Sequence, residues 1–218
     1  MFLGSRYKKL VLWYIADPMC SWCWGFAPVI EQIRQEYSAA LTVGLIPGGL
    51  RPGTNVPLLP EKKVQILQHW HTVHAATGQP FTFENALPEG FIYDTEPACR
   101  GIVSVSLIES EKVFSFFAAI QHAFYVEQKD VTQFSVLAKL AADLAISELQ
   151  FASVFQSDEA KQQTLAGFQR AAQWGINGFP ALVAESGTGT DRYLITTGYR
   201  PIESLRRLLD TWLQQHGV

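Results

Sequence analysis

The chain has 218 residues, of which 48% are hydrophobic, 12% aromatic and 17% charged, with a formal net charge of −3. So apolar a composition buries enough surface to offset its ordering entropy, which excludes a disordered chain. The slight negative charge excludes the electrostatic footprint of a nucleic-acid binder, the densest basic cluster being Tyr7-Lys8-Lys9.

Residues 9–16 read as a short, fully buried strand, β-branched and aromatic without alternation. Lys8-Lys9 before this run imitates the start of a signal peptide. The apolar stretch is only about seven residues, however, and it ends at Asp17-Pro18 with no small-x-small cleavage pattern. The expectation is therefore a strand, a chain that starts near Met1, and a cytoplasmic protein. No run approaches the roughly 18 apolar residues of a membrane span. Residues 23–37 read as a helix, because Phe26, Val29, Ile30, Ile33 and Tyr37 fall on one face. Pro28 inside it is expected to kink it. Residues 41–47 form a second strand, and 47–60, with four prolines and three glycines, a loop.

Helical patterns then follow one another over 61–77, 96–109, 111–127, 131–145, 147–155 and 157–174. Thr95 is the expected N-cap of the second, with Pro97 in its first turn, and Ser157 caps the last. Strands return at 180–184 and 192–197, joined by a Gly-Thr-Gly-Thr turn at 187–190, and 198–201 open a final helix to 214. The order is β-α-β, a long helical stretch, then helix, hairpin and helix. The expected organisation is an α/β core in two parts, 1–60 and 158–218, split by a helical insertion over 61–157.

The sequence Asp17-Pro18-Met19-Cys20-Ser21-Trp22-Cys23-Trp24 places two thiols one turn apart at a strand-to-helix junction. Cys20 would sit at the helix tip, where unpaired N–H groups and the positive dipole end stabilise an anion, and a thiolate is an anion. Its side chain is expected to face out, with Cys23 shielded one turn inside. Cys20 would then attack a disulfide and Cys23 would resolve the mixed disulfide. Three cysteines do not make a disulfide framework. A zinc site would need two further ligands. Cys99 is a lone candidate, and His69, His71 and His74 on one helix read as a partly exposed surface, so no metal is assigned. Trp24 reads as core packing.

The chain resembles the thioredoxin superfamily in its DsbA-like branch. The C-x-x-C follows the first strand at a helix start, and Pro28 lies where that family kinks its active-site helix. Gly175-Ile176-Asn177-Gly178-Phe179-Pro180-Ala181-Leu182-Val183 resembles the cis-proline loop, and a helical insertion splits the core. Asp17 and Thr95-Glu96-Pro97-Ala98-Cys99-Arg100 look closer to the FrnE-like subgroup of disulfide isomerases. The resemblance implies a thioredoxin fold with a DsbA-type insertion. It also implies a cis Pro180 against the cysteine pair, with the Phe179 backbone free to pair with an extended substrate. The implied activity is thiol-disulfide exchange with protein substrates, with glutathione as a redox partner and no resident cofactor.

Several roles stay open at this level. Trp22 is either a substrate-facing anchor or a cap on the insertion, and Ser21-Trp22 helps set the redox potential. Asp17 is either a proton acceptor for Cys23 or a carboxylate capping a backbone N–H. Cys99 is either a third redox thiol or a small buried hydrophobe. Two other activities compete: a glutathione-dependent isomerase or kappa-type glutathione transferase, against which both thiols speak, and a non-catalytic peptide-binding module.

Overall fold

The computed structural model describes residues 10–186 and 191–216. Lys9, at the edge of the first expected strand, and the expected turn at 187–190 lie outside them. Among the described residues there are four strands and eight α-helices. β1 (Leu10–Ala16), α1 (Ser21–Glu36) and β2 (Leu41–Pro47) form the expected β-α-β unit. Five helices follow: α2 (Pro60–Thr77), α3 (Glu96–Ile108), α4 (Val113–Tyr125), α5 (Phe134–Asp143) and α6 (Glu148–Gln156). Then come α7 (Asp158–Gln173), β3 (Ala181–Glu185), β4 (Arg192–Thr197) and α8 (Ile202–Gln215). No helix among the described residues is long and apolar enough to cross a membrane.

The sheet order is β2-β1-β3-β4, with β1 parallel to β2 and both other pairs antiparallel. β1 is central and covered on both faces, which is why its sequence shows no alternation. Leu10, Leu12, Tyr14 and Ala16 join a large core with α1, α8 and the helices between β2 and α7. Ile15 and, at its margin, Trp13 join a smaller one with Ile46, Ala171 and Val183, under α7. The benzo edge of Trp13 lies where a Cβ on Gly44 would stand, 2.4 Å from it, so β2 needs glycine opposite that ring.

Three local details depart from the sequence reading. α1 begins at Ser21 rather than Cys23, with Cys20 as its N-cap. Thr95 does not cap α3 through its hydroxyl, which instead accepts from the Arg51 N–H at 3.1 Å. The preceding Asp94 carboxylate takes the Glu96 N–H at 3.0 Å and the Gly53 N–H at 2.8 Å. The 111–127 helix is shorter, because a 3-10 turn (Ser110–Lys112) precedes α4. Ser147 and Ser157, by contrast, accept N–H groups of the turns they open, from Gln150 and Ala160.

Candidate active site

β1 ends at a short turn, Asp17-Pro18-Met19, that delivers the chain into α1. The Cys20 N–H donates to the Asp17 carbonyl at 3.1 Å, and the Asp17 carboxylate accepts the Met19 N–H at 2.9 Å. The Tyr93 hydroxyl closes the turn from the other side, donating to the Met19 carbonyl at 2.5 Å. Cys20 is extended (φ −89°, ψ 116°) and its carbonyl accepts the Trp24 N–H, so the helix starts immediately after it. The N–H groups of Ser21, Trp22 and Cys23, which an α-helix leaves without intrahelical acceptors, belong to the turn that Cys20 caps. The three cysteines stand as free thiols.

The expectation that the Cys20 side chain faces out needs correction. Cys20 is only 6% exposed, and its Sγ lies 3.7 Å from the Phe179 carbonyl oxygen, to which it donates. That carbonyl comes from the loop before β3, where the Phe179–Pro180 peptide bond is cis. The Pro180 carbonyl accepts the Gly198 N–H at 2.7 Å, tying the loop to the end of β4. The Phe179 ring occupies the place of a Cβ on Gly48, which would stand 2.3 Å from it. Gly48 in turn donates to the Ala16 carbonyl at 2.8 Å. Three loops, after β1, after β2 and before β3, thus meet around Cys20.

Cys23, fully buried, lies one turn deeper. Burial pushes its thiol well above the ordinary range; Cys20 beside it and the negative charge of Asp17 push the same way, while the Asp17 N–H acts against them. The Tyr14 hydroxyl sits over the same turn, donating to the Cys23 carbonyl at 3.5 Å. Asp17 is also fully buried, and burial raises its carboxyl above the usual range despite the Leu50 and Met19 N–H donors. The Leu50 N–H reaches Asp17 Oδ2 at 2.6 Å, fastening the loop after β2 to the cysteine turn. Of the two readings of Asp17, these bonds carry the backbone-capping one directly. Cys99 enters the same cluster: it is fully buried, and its thiol donates to Asp17 Oδ2 at 3.5 Å. It is thus more than an apolar filler, and burial and the Asp17 charge both hold its proton on.

The residues between and after the cysteines divide by face. Ser21 and Trp22 are half-buried. The Trp22 ring lies 5.8 Å from that of Tyr199, which precedes α8. Its ring contact is thus with the segment after β4, and it also packs against the large core. Trp24 is buried as expected, stacked on Tyr125, with its indole N–H on the Pro80 carbonyl at 2.9 Å. α1 runs on through Pro28 as one element. Pro28 has no N–H for the Trp24 carbonyl four residues earlier, and the Gln79 side-chain amide supplies one at 2.9 Å. The histidines of α2 lie apart from this site. The His71 ring stacks on Phe83, and His74 Nδ1 is 2.7 Å from the Gln79 carbonyl. Among the described residues no three His, Cys, Asp or Glu side chains gather as metal ligands.

Sequence reasoning missed Gln79, Tyr93, Gly48 and Leu50, all of which act here from distant loops. The one local signal was the Gly48-Gly49 pair directly after a strand.

A cysteine-capped helix beside a cis-proline loop on a four-stranded mixed sheet is matched by the family model for the DSBA-like thioredoxin domain, over residues 11–210. The chain belongs to the DSBA-like thioredoxin family. A crystal structure from Nitrosomonas europaea, of a protein provisionally assigned as a disulfide isomerase, is 79% identical with a TM-score of 0.92, covering 96% of this chain and all of that one. The cytosolic disulfide reductase DsbM from Pseudomonas aeruginosa has the same fold at 22% identity and a TM-score of 0.78, over 94% of this chain and all of its own; it has also been solved with GSH. The ClpXP adapter protein SpxH of Bacillus subtilis is 22% identical over 82% of this chain, and the aligned part spans 59% of SpxH. None of these names the FrnE-like subgroup.

Proposed function

We propose that this protein is a thiol-disulfide oxidoreductase that exchanges disulfides with protein substrates through Cys20 and Cys23, in the cytoplasm, with glutathione as its small-thiol partner. The observation that carries this reading is the asymmetry of the pair. Cys20 caps the helix at the meeting of three loops, and Cys23 is sealed one turn below. The Cys20 thiolate attacks one sulfur of a substrate disulfide; that S–S bond breaks, the other substrate sulfur leaves as a thiolate and takes a proton, and a mixed disulfide forms. Cys23 loses its proton and attacks Cys20 Sγ, which expels the second substrate thiolate and leaves a Cys20–Cys23 disulfide. The substrate gains two electrons and the protein loses them. Two glutathione thiols then reduce the pair, giving glutathione disulfide. If a second substrate thiol attacks the mixed disulfide before Cys23 does, the substrate is isomerised with no net oxidation.

The Phe179 carbonyl is not free here, since it accepts the Cys20 thiol, but it is released when Cys20 ionises and then pairs with the incoming chain, to which Trp22, half-buried at the helix tip, supplies apolar contact. Support comes from membership of the DSBA-like family and from the disulfide-isomerase assignment of the 79%-identical structure. The proposed compartment and small-thiol partner follow those of the cytosolic disulfide reductase DsbM, which shares the fold and has been solved with GSH. The test is reduction of insulin by glutathione. Wild type accelerates it; Cys20→Ser falls to the uncatalysed rate; Cys23→Ser loses turnover with protein substrate while still forming a mixed disulfide. A Cys20→Ser protein that keeps the wild-type rate overturns the reading.

A further inference from the structure

Tyr14 stands on β1, inside the sheet, and its side chain is fully buried. Its backbone is in register with Leu45 of β2 and Leu182 of β3. Its ring lies 5.8 Å from that of Phe26 on α1 and meets Phe117 of α4 edge-on at 5.9 Å. These contacts hold the phenol against the turn of α1 that carries Cys23. There the hydroxyl donates to the Cys23 carbonyl at 3.5 Å, and it also meets the Cys23 thiol. A bond of 3.5 Å is long for a hydroxyl donor, whose usual reach to oxygen is about 2.7–2.8 Å, so this buried donor is poorly used in the reduced protein. Burial, with Cys23 and Cys20 beside it, holds the phenol proton on well above the ordinary range, so Tyr14 stays a donor.

The resolving step asks Cys23 to become an anion in this dry place. Burial, Cys20 and the Asp17 charge oppose that, and the Asp17 N–H favours it. We propose that Tyr14 is a catalytic residue of the resolving step: as the Cys23 thiolate forms, the hydroxyl turns its hydrogen from the Cys23 carbonyl to the Cys23 sulfur and stabilises it. A donor already fixed where charge develops needs little reorganisation to do so. Tyr14 keeps its own proton throughout. The bond between Cys20 and the substrate sulfur breaks as the Cys20–Cys23 bond forms, and the proton that Cys23 gives up is balanced by the one the departing thiolate takes. The proposal rests on the redox reading and deepens it.

A hydrogen bond to a charged group raises the thiolate fraction roughly 10- to 100-fold. A better-stabilised thiolate is also a weaker nucleophile, which returns about half of that gain on a logarithmic scale. Losing the hydroxyl should therefore slow resolution about three- to tenfold. The full-length reduced protein is mixed with a peptide disulfide, quenched in acid at intervals and followed by mass spectrometry, so that the Cys20 mixed disulfide is seen to form and decay. Tyr14→Phe keeps the ring and its packing. Its mixed disulfide forms at the wild-type rate and decays about three- to tenfold more slowly, and with glutathione present a larger share is released by glutathione than by Cys23. Adding Tyr14→Phe to Cys23→Ser leaves adduct formation unchanged. The rate of the first step is the internal control for folding. Decay at the wild-type rate in Tyr14→Phe, or formation and decay slowed alike, overturns the proposal. An adduct that forms in Cys20→Ser overturns the redox reading instead, so the two failures are distinguishable.

Discussion

Proline inside a helix normally leaves a carbonyl four residues earlier without its donor, and here the Gln79 amide fills that gap on Trp24 at 2.9 Å. Gln79→Ala removes the donor. The loss combines one hydrogen bond, about 0.5–1.5 kcal/mol net, with the cost of leaving a partly buried carbonyl unpaired, so a total of about 1–2 kcal/mol is expected. For a chain of this length that lowers Tm by roughly 2–8 °C. Pro28→Ala restores the missing N–H. Pro28 is exposed, so this change also relieves the interior-proline penalty without disturbing the core. The two changes should therefore be coupled: in the Pro28→Ala background Gln79→Ala costs less than about 0.5 kcal/mol. Urea unfolding of the four proteins in the double-mutant cycle measures this. Equal costs in both backgrounds would show that Gln79 acts elsewhere and that the replacement bond is not what it supplies.

Burial holds the Cys23 and Cys99 protons on in the folded protein, so their folded values lie above the unfolded ones. The stability this gives is complete below about pH 8.5 and is lost as pH rises beyond it. The reduced protein should lose Tm between pH 8.5 and 10, and Cys23→Ser with Cys99→Ser should flatten that slope; an unchanged slope would contradict the assignment. Asp17 is an acid raised by burial, so its contribution is fullest below about pH 4 and falls as pH climbs through its folded value. The difference in stability between wild type and Asp17→Asn, measured by denaturant at each pH, should drift against wild type over that range and stay constant if Asp17 titrates normally. Gly48→Ala would place a Cβ 2.3 Å from the Phe179 ring, so the ring, and with it the residue whose carbonyl holds the Cys20 thiol, must shift. A loss of about 1–3 kcal/mol and slower insulin reduction are expected, against no change in either if the ring contact is idle.

What was legible in the sequence was local. β1 announced itself because it is buried on both faces, and α7 and α8 because a serine cap or a Gly-Tyr-Arg-Pro turn stands before an apolar stripe. The cysteine pair was legible because its spacing and its place after a strand are themselves the chemistry. What was not legible depended on the chain returning from afar. The carbonyl over Cys20 belongs to Phe179, so nothing near Cys20 could foretell that its thiol is covered. Gln79 reads as an ordinary polar residue after a helix until Pro28 is seen beside it. Thr95 stands at the N-cap of α3 as its sequence position predicts, but its hydroxyl serves the Arg51 N–H from a distant loop, and Asp94 one residue earlier takes the Glu96 N–H instead. Cys99 meets the cysteine turn through the Asp17 carboxylate, which is also held by Met19 within that turn and by Leu50 from the loop after β2.

The division of labour between the two sulfurs is tested most directly by trapping. Cys23→Ser, incubated with a peptide disulfide and quenched in acid, should carry one peptide, located by mass spectrometry on Cys20. An adduct on Cys99, or one that forms equally well in Cys20→Ser, would contradict the account.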